Sequence, residues 1–351
     1  MGLFSPITIR GLTIKNRIVV SPMCMYSSED GFANDWHLVH LGSRAVGGAG
    51  LIFTEATAVE PRGRISPVDL GIWKDEHIDA LRRVVDFCHS FGAKMGIQLA
   101  HSGRKAEDYP PWERDGMKIK GSKHAIAPSA VPYGADWHTP KEMTEEDMQS
   151  VQKAFEDAAK RAVEAGFDVI EVHAAHGYLI HEFLSPVSNK RTDQYGGSIE
   201  NRERFLVDVV RRVRKVIPDS MPLFVRISCV DHIEGGWTLE DSIHLAKRLK
   251  DEGCDVIDCS SGGIVEDEKV NAYPGFQVPY AERIKKEVGI MTMCVGLITT
   301  YEQAQEIVMN SRADLVAMAR EFLRDPYLPI RWAKAHWLKP EVPRQYIRAW
   351  L

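Results

Sequence analysis

Runs of four to six apolar residues alternate along this chain with longer stretches whose apolar residues recur at positions i, i+3 and i+4. The short runs have the length of buried strands, and the longer stretches have the period of amphipathic helices. Strand boundaries are defined to within about 2–4 residues. The pattern predicts strands near Ile18, Leu51, Met95, Val169, Leu223, Val256, Thr292 and Leu315.

The turn from a helix into the next strand recurs with a similar sequence. Residues 162–170 and 249–257 both read Gly-x-Asp-Val-Ile at their end, and residues 309–316 form a third copy without the glycine. Gly166 and Gly253 are expected at the left-handed position that closes a helix without a Cβ clash. Repeated helix-to-strand turns indicate repeated βα units.

Eight βα units over this length predict an α/β fold in the form of a closed (β/α)8 TIM barrel. An open doubly wound sheet is the alternative, but the Gly-x-Gly-x-x-Gly turn after its first strand is missing. Residues 8–14 alternate around Gly11 and predict a short N-terminal hairpin. We find no linker, so residues 1–351 are expected to form a single domain that ends in a tail over residues 336–351.

The alternation of predicted strands and helices is interrupted once, over residues 102–143, after the third strand. This stretch is rich in Pro, Gly and charged residues, and it carries Trp112, Tyr133 and Trp137. We interpret it as a long excursion that forms a lid or rim over the site. A disordered loop is the alternative, but its aromatic content disfavours that interpretation.

Composition narrows the function class. A net charge of -5 and a pI near 6.2 argue against nucleic-acid binding, which needs a basic face. No apolar run has membrane-spanning length, and the amino terminus lacks a secretion signal. The six cysteines are scattered without a Cys-x-x-Cys pair, which favours the reducing cytoplasm and leaves no framework for a metal or cluster.

Candidate chemistry is concentrated where the predicted strands end. His173, His176 and Tyr178 follow the fourth strand, and glycines with Arg320 follow the last three strands. Strand ends gather at one face of a barrel, where glycine-rich turns commonly bind a phosphate. Together these residues predict a phosphorylated ligand beside a group that is polarised by hydrogen-bond donors.

Each of these residues also has a structural or metal-binding interpretation. A lone His173 would more often be a core histidine with a backbone hydrogen bond, but the histidine pair beside a tyrosine reverses that preference. A zinc site would need a third ligand and a recognisable Glu base, so no metal is expected. Cys24 could be a small buried hydrophobic residue, which is the default for a free cysteine.

Long motifs in this chain resemble those of the flavin-dependent ene-reductases of the Old Yellow Enzyme family. The resemblance rests on residues 172–179, 183–186, 189–193 and 195–202, with further matches at 21–26, 98–101, 103–106 and 320–326. Cys24, Tyr26 and the ending of residues 345–350 are similar to the bacterial, thermophilic-like branch. The larger dienoyl-CoA reductase relatives are disfavoured because a cysteine-rich cluster segment and a second flavin domain are absent.

The resemblance implies a non-covalent FMN that is reduced by NADPH or NADH and reoxidised by an α,β-unsaturated carbonyl compound. His173 and His176 would bind the carbonyl oxygen, where negative charge develops. Tyr178 would protonate Cα as the general acid, and Tyr26 would contact the substrate oxygen. The resemblance implies that FMN is contacted by Ser21, Pro22, Met23, Cys24, Ala56, Gln98, Arg226, Gly262, Gly263, Gly296, Ala319 and Arg320.

Within that set, Arg226 resembles the arginine near the N1/O2 edge of the flavin, and Cys24 resembles a thiol that tunes its potential. Ala319 is a departure, because the family usually has glycine there, but the backbone N–H is retained. Arg348 resembles an arginine that enters a neighbouring subunit's site, which implies a homodimer or homotetramer. Two alternatives stay open: a flavin-binding redox sensor or scavenger based on Cys24, and a metal-dependent lyase based on His173 and His176.

Overall fold

Eight parallel strands close into a barrel in this computed structural model, which describes residues 2–113, 120–339 and 341–350. The barrel order is β3-β4-β5-β8-β9-β10-β11-β12, and β12 pairs with β3 to close it. The predicted TIM barrel is therefore confirmed, with each of the eight predicted strands present. The strands are β1 (Ile7–Ile9), β2 (Leu12–Ile14), β3 (Ile18–Val20), β4 (Leu51–Ala58), β5 (Lys94–Ala100), β6 (Ile126–Ala127), β7 (Lys141–Glu142), β8 (Val169–Ala174), β9 (Leu223–Ser228), β10 (Val256–Ser260), β11 (Met291–Cys294) and β12 (Leu315–Met318).

Helices follow the barrel strands and cover the outside of the barrel. Several begin at a side chain that accepts a hydrogen bond from the first turn, such as Thr144, Thr238 and Thr300. Such caps satisfy amides that would otherwise lack a partner. The helices are α1 (Asp35–Val46), α2 (His77–Ser90), α3 (Glu145–Glu164), α4 (Leu179–Leu184), α5 (Ile199–Val216), α6 (Leu239–Asp251), α7 (Val278–Val288), α8 (Tyr301–Met309), α9 (Arg320–Arg324), α10 (Leu328–Ala335) and α11 (Ile347–Trp350).

The predicted N-terminal hairpin is confirmed as the antiparallel pair β1–β2. Its inward side chains Ile7, Ile9 and Ile14 form one apolar cluster with residues at the starts of the barrel strands, including Val169 and Val256. The hairpin thus covers the amino-terminal end of the barrel and shields that interior from water. The opposite, carboxyl end of the strands is where the predicted site residues lie.

The repeated helix-to-strand turn has a common geometry. Gly166 and Gly253 have φ values of 90° and 89°, as predicted, and Ser311 has a φ of 59° in the copy that lacks glycine. The aspartate of each copy accepts a hydrogen bond from a backbone amide near the start of the neighbouring strand, at 2.8–3.0 Å. These pairs are Asp168 with Met95, Asp255 with Leu223, and Asp314 with Thr292. The repeat therefore fixes how successive strands are aligned.

Residues 102–143 leave the barrel after β5, and residues 114–119 of this predicted excursion lie outside the described part. The excursion returns through β6 and β7, which pair in parallel. The buried Arg104 donates hydrogen bonds to the carbonyl oxygens of Val131, Pro132 and Ile264. This guanidinium joins the excursion to the loop after β10. Within the described ranges, no helix is both long and apolar enough to span a membrane.

Candidate active site

Two histidines and a tyrosine meet where β8 ends. The strand ends at Ala174, and a turn with Gly177 in the left-handed region (φ 70°) leads to Tyr178, the residue before α4. The ring centroid of His173 lies 5.2 Å from that of His176 and 5.1 Å from that of Tyr178. His176 itself has a φ of 60°. A non-glycine residue in this region is strained, and such strain is common at functional sites.

Backbone and side-chain contacts orient both imidazoles. His173 Nδ1 accepts a hydrogen bond from the amide of Ala175 at 3.2 Å, so its proton lies on Nε2. His176 Nε2 is 2.6 Å from the hydroxyl of Ser260. Burial, followed by the charge of Arg226, lowers the pKa of both imidazoles well below the ordinary value. Both histidines are therefore neutral at physiological pH, and each can donate one hydrogen bond.

The Tyr178 phenol is held in its protonated form. Burial is the largest cause that raises its pKa well above the ordinary value, and Cys24 and Tyr26 add to the effect. Lys105 lies above the ring, with Nζ 4.7 Å from the ring centroid, and Nζ also donates to the carbonyl oxygen of His176 at 3.0 Å. Lys105 belongs to the motif at residues 103–106, but nothing in its local sequence predicts this contact.

A third histidine, His181, contacts the backbone of this turn. His181 Nδ1 accepts a hydrogen bond from the amide of Gly177 at 2.9 Å, and His181 Nε2 lies 3.0 Å from Asp231. Both side chains are fully shielded from solvent. Although burial acts in the opposite direction, the contact with His181 lowers the pKa of Asp231. Sequence reasoning missed this pair, since it joins α4 to the loop after β9.

Arg226 and Gln98 are buried on the two strands that flank β8, and Arg226 is paired in register with His173. The Arg226 guanidinium donates from Nη1 to the Ser21 hydroxyl at 3.1 Å, and its Nε lies 3.2 Å from Asp258. Gln98 Nε2 donates to Glu171 at 2.7 Å. The structure thus brings together Ser21, Gln98 and Arg226, which sequence analysis assigned to the cofactor.

A cavity of about 220 Å³ opens next to Arg226, at the ends of the last three barrel strands. Gly296 has a φ of 129°, which only glycine adopts readily, and a Cβ there would lie 3.2 Å from the Gln277 side chain. Three arginines, Arg226, Arg320 and Arg324, line the cavity. Its lining includes Arg226, Ser260, Gly296, Ala319 and Arg320.

Gly262 and Gly263 have a different environment. The amide of Gly263 donates to the Glu268 carboxylate, and a Cβ on Gly263 would lie 2.7 Å from the His176 backbone. Neither glycine lines the cavity. Their contact with the cofactor stays a prediction, and their geometry supports close packing behind His176.

The loop after β3 and the bulged strand β4 form another side of the site. Cys24 and Tyr178 pack on a cluster that contains Ala56, and Met23 packs on the main core while Pro22 is half-buried. Tyr26 has a φ of 51° and makes an edge contact with Trp112 of the excursion, with ring centroids 5.4 Å apart. Burial is the first cause that raises the Cys24 pKa well above its ordinary value, and Asp69 and Glu55 add to it.

Arg348 is not brought to this site. It lies on α11 with an exposed side chain, and the segment is held by a hydrogen bond from Lys334 to the Trp350 carbonyl at 3.1 Å. Its predicted contact with a neighbouring subunit stays a prediction. Over residues 2–113, 120–339 and 341–350, no group of three or more His, Cys, Asp or Glu side chains is arranged to hold a metal ion.

Comparison with known proteins identifies the family. Residues 2–338 match the NADH:flavin oxidoreductase / NADH oxidase family. An NADPH dehydrogenase of Geobacillus sp. (strain WCH70) is 54% identical over 350 residues, which cover 99% of this chain and 98% of that protein. Two solved structures share 28% identity and 99% coverage of this chain. Morphinone reductase in complex with tetrahydroNAD has a TM-score of 0.80 with 94% of its chain covered, and the old yellow enzyme homologue from Zymomonas mobilis has 0.79 with 96% covered.

The site agrees with that comparison. The cavity beside Arg226 is lined by arginines and by Gly296, which suit a phosphorylated cofactor. The chain therefore belongs to the NADH:flavin oxidoreductase / NADH oxidase family, in the bacterial branch of the Old Yellow Enzymes, and is an oxidoreductase that uses FMN with NADPH or NADH.

Proposed function

We propose that this enzyme reduces the C=C bond of α,β-unsaturated carbonyl compounds. The observation that carries the proposal is the meeting of two neutral imidazoles and a protonated phenol at the end of β8. Reduction of such an alkene requires donors at the carbonyl oxygen and one proton at Cα. These three side chains supply both requirements within one turn of backbone.

The cofactor would be held by residues that lie on or just after several of the barrel strands. Gln98, Arg226 and Ser21 would contact its polar ring edge, and the cavity lined by Gly296, Ala319 and Arg320 would hold its phosphate. Bound FMN would supply the hydride chemistry that connects the nicotinamide with Cβ of the alkene. The ring walls would be formed by Pro22, Met23, Cys24 and Ala56, with Gly262 and Gly263 supporting the loop after β10.

His173 and His176 would bind the substrate carbonyl. His173 donates from Nε2, because Nδ1 is used by the Ala175 amide. We assign the His176 proton to Nδ1, with Nε2 accepting from Ser260. Neutral donors of fixed orientation stabilise an oxygen that gains negative charge without first having to be reorganised. The two histidines therefore lower the barrier at the step in which that charge develops.

Tyr178 would supply the proton at Cα. Its raised pKa keeps the phenol protonated in the free site, and a carbanion-like enolate is basic enough to take that proton. Lys105 is placed to stabilise the phenolate that remains, because its Nζ lies 4.7 Å from the Tyr178 ring. A nearby cation favours the charged form of a phenol.

The rim of the site would be completed by the excursion and by a second subunit. Trp112 packs on Tyr26, so residues 102–143 would shape the entrance on the side of the substrate oxygen. Arg348 is exposed at the end of the chain, which suits a contact with a neighbouring copy in a homodimer or homotetramer. Its guanidinium would then add a cation to the partner's site.

The alternative of a redox sensor based on Cys24 is less well supported. Sensor cysteines react as thiolates, and they are accessible thiols with a lowered pKa. Cys24 is partly exposed, but it packs beside Ala56 and Tyr178 and its pKa is raised, not lowered. This favours a neutral thiol that contacts the flavin as part of the wall.

The proposal is tested by anaerobic half-reactions. FMN-loaded protein should lose its yellow colour on addition of NADPH and regain it when cyclohexenone is added. A protein that is reduced by NADPH but is not reoxidised by any of a panel of enones would refute ene-reduction while leaving the flavin chemistry intact. The same panel, with both nicotinamides, would define the substrate and cofactor preference.

A further inference from the structure

Four polar side chains occupy one layer of the barrel interior, immediately below the β8 histidines. Side chains on a strand alternate between its two faces, and the inward residues Val169 and Val256 belong to the apolar layer near the hairpin. The next inward positions on four adjacent strands are polar. They are Gln98 on β5, Glu171 on β8, Arg226 on β9 and Asp258 on β10, and none is more than 5% exposed.

The formal charges of this layer do not balance. It contains one guanidinium and two carboxyl groups, so the layer would carry a net negative charge if both carboxyls were ionised. Asp258 forms the ion pair with Arg226, at 3.2 Å. Glu171 instead accepts a hydrogen bond from Gln98, which is neutral, at 2.7 Å. Burial of an uncompensated charge is costly, and buried groups commonly change protonation to avoid it.

Hydrogen bonding leads to the same conclusion. Among the described residues, no hydrogen bond reaches Oε2 of Glu171 or either carboxyl oxygen of Asp258, and the ion pair with Arg226 is not aligned as a hydrogen bond, since Arg226 Nε also makes none. Two ionised carboxylates can only accept, and each of these two groups is among the causes that shift the pKa of the other. One proton between them would supply the missing donor. It would also remove the repulsion between two like charges.

We propose that Glu171 is a neutral carboxylic acid that donates a hydrogen bond to Asp258, and that the ionised Asp258 offsets the charge of Arg226 beside the bound FMN. Burial raises the pKa of both carboxyls, and that of Glu171 is raised well above its ordinary value. Glu171 and Asp258 are then positioning residues, because they act on the cofactor through Arg226. The inference rests on the proposed contact between Arg226 and FMN.

The two carboxyls should differ in their effect on the flavin midpoint potential. Glu171→Gln replaces a neutral acid by a neutral amide, so the ratio of reduced to oxidised bound FMN at a fixed potential should change less than about threefold. Asp258→Asn exposes the flavin to the unbalanced Arg226 cation, which favours the reduced form. That ratio should rise at least about tenfold, which corresponds to about 30 mV for a two-electron couple.

The measurement is an anaerobic dye-equilibration titration of the two FMN-loaded variants beside the wild type. These variants are matched, because each exchanges one carboxyl for an amide of the same shape in the same layer. Equal shifts in both would show that Glu171 is ionised and would overturn the proposal. No shift in Asp258→Asn would overturn the role of Asp258 in offsetting Arg226.

Infrared spectroscopy tests the protonation of Glu171 without relying on the folding of Asp258→Asn. The wild-type protein should show a carboxylic acid C=O stretch that shifts in D2O and is lost in Glu171→Gln. Glu182→Gln is the control, because Glu182 is a buried carboxyl of α4 whose pKa burial raises to about 8. Its loss should remove a different band. If no band depends on Glu171, the proposal is wrong, whether or not the enzyme reduces enones.

Discussion

Replacement of Tyr178 by Phe isolates the proposed proton transfer. The ring of Tyr178 lies 5.1 Å from that of His173 and packs on the cluster of Ala56 and Ala100. Phe keeps that ring and its buried apolar area, so the substitution removes one hydroxyl group from an otherwise unchanged site. The perturbation is therefore chemical and not structural.

The size of the effect follows from the role of the hydroxyl group. A positioned general acid contributes about 10²–10⁴-fold in rate, which is about 3–5 kcal/mol at about 1.36 kcal/mol per factor of ten. That loss should appear only in the step that consumes the enone. Reduction by NADPH requires no proton from Tyr178, so its rate should stay close to that of the wild type.

Stopped-flow spectroscopy separates the two half-reactions through the flavin absorbance. Tyr133→Phe is the matched control, because Lys105 lies 4.4 Å from the ring of Tyr133 and 4.7 Å from that of Tyr178. Phe at position 133 keeps the ring beside Lys105 and removes a hydroxyl that has no assigned part in proton transfer, so this variant should change the rate less than about fivefold, which is under about 1.36 kcal/mol in the barrier. Enone reduction by Tyr178→Phe at the wild-type rate would refute the assignment of Tyr178.

Four further outcomes are expected. His176→Ala should slow single-turnover reoxidation by an enone about 10²–10³-fold, the usual cost of one oxyanion donor; an unchanged rate would contradict the role of His176. Removal of residues 348–351 should weaken binding of a carbonyl ligand, measured by titration of the flavin spectrum, and an unchanged affinity would remove the proposed contribution from a neighbouring subunit. Ile9→Ala should lower the free energy of unfolding by about 2–5 kcal/mol, because Ile9 is only 2% exposed. Thr8→Ala, on the outer face of β1, should lower it by less than about 1 kcal/mol. Equal losses in urea denaturation would contradict the proposed packing of the hairpin on the barrel. The rate of enone reduction should not change between about pH 6 and pH 9. The two imidazoles have lowered pKa values and are already neutral in this range, and the phenol has a raised pKa and stays protonated. A pH dependence of the chemical step within this range would contradict those protonation states.

Hydrophobic pattern was sufficient to predict the barrel. Each predicted strand is a short apolar run whose length excludes a helix, and Gly166 and Gly253 mark turns that recur with the same backbone conformation. These signals are local. The order of the strands in the barrel then follows from the chain order, because successive βα units lie side by side.

Contacts between distant segments were harder to predict. Lys105 reaches His176 and Tyr178 only because the chain after β5 folds back over the end of β8. The pairing of His181 with Asp231 likewise joins helix α4 to the loop after β9, two segments that no spacing in the sequence relates. The motif around Lys105 could have raised it as a candidate, whereas nothing local distinguishes Asp231 from other loop carboxylates.

The polar side chains inside the barrel could not be interpreted from the sequence for a different reason. Glu171 and Asp258 interrupt apolar strands, and a pattern shows that they are unusual without showing whether they face inward. Their neighbours in the barrel, Arg226 and Gln98, come from other strands. Whether a buried carboxyl group is tolerated depends on the groups that contact it, and the tertiary structure decides which groups those are.

Isotope labelling in a single turnover tests the central claim most directly. Reduction of the FMN-loaded enzyme with deuterated NADPH, followed by cyclohexenone in ordinary water, should give cyclohexanone with deuterium at Cβ and a solvent-derived hydrogen at Cα. The reverse labels should appear when ordinary NADPH is used in D2O. Formation of no saturated ketone, or a product with solvent deuterium at Cβ, would contradict the proposal that flavin at this site delivers hydride to Cβ while Tyr178 delivers a proton to Cα.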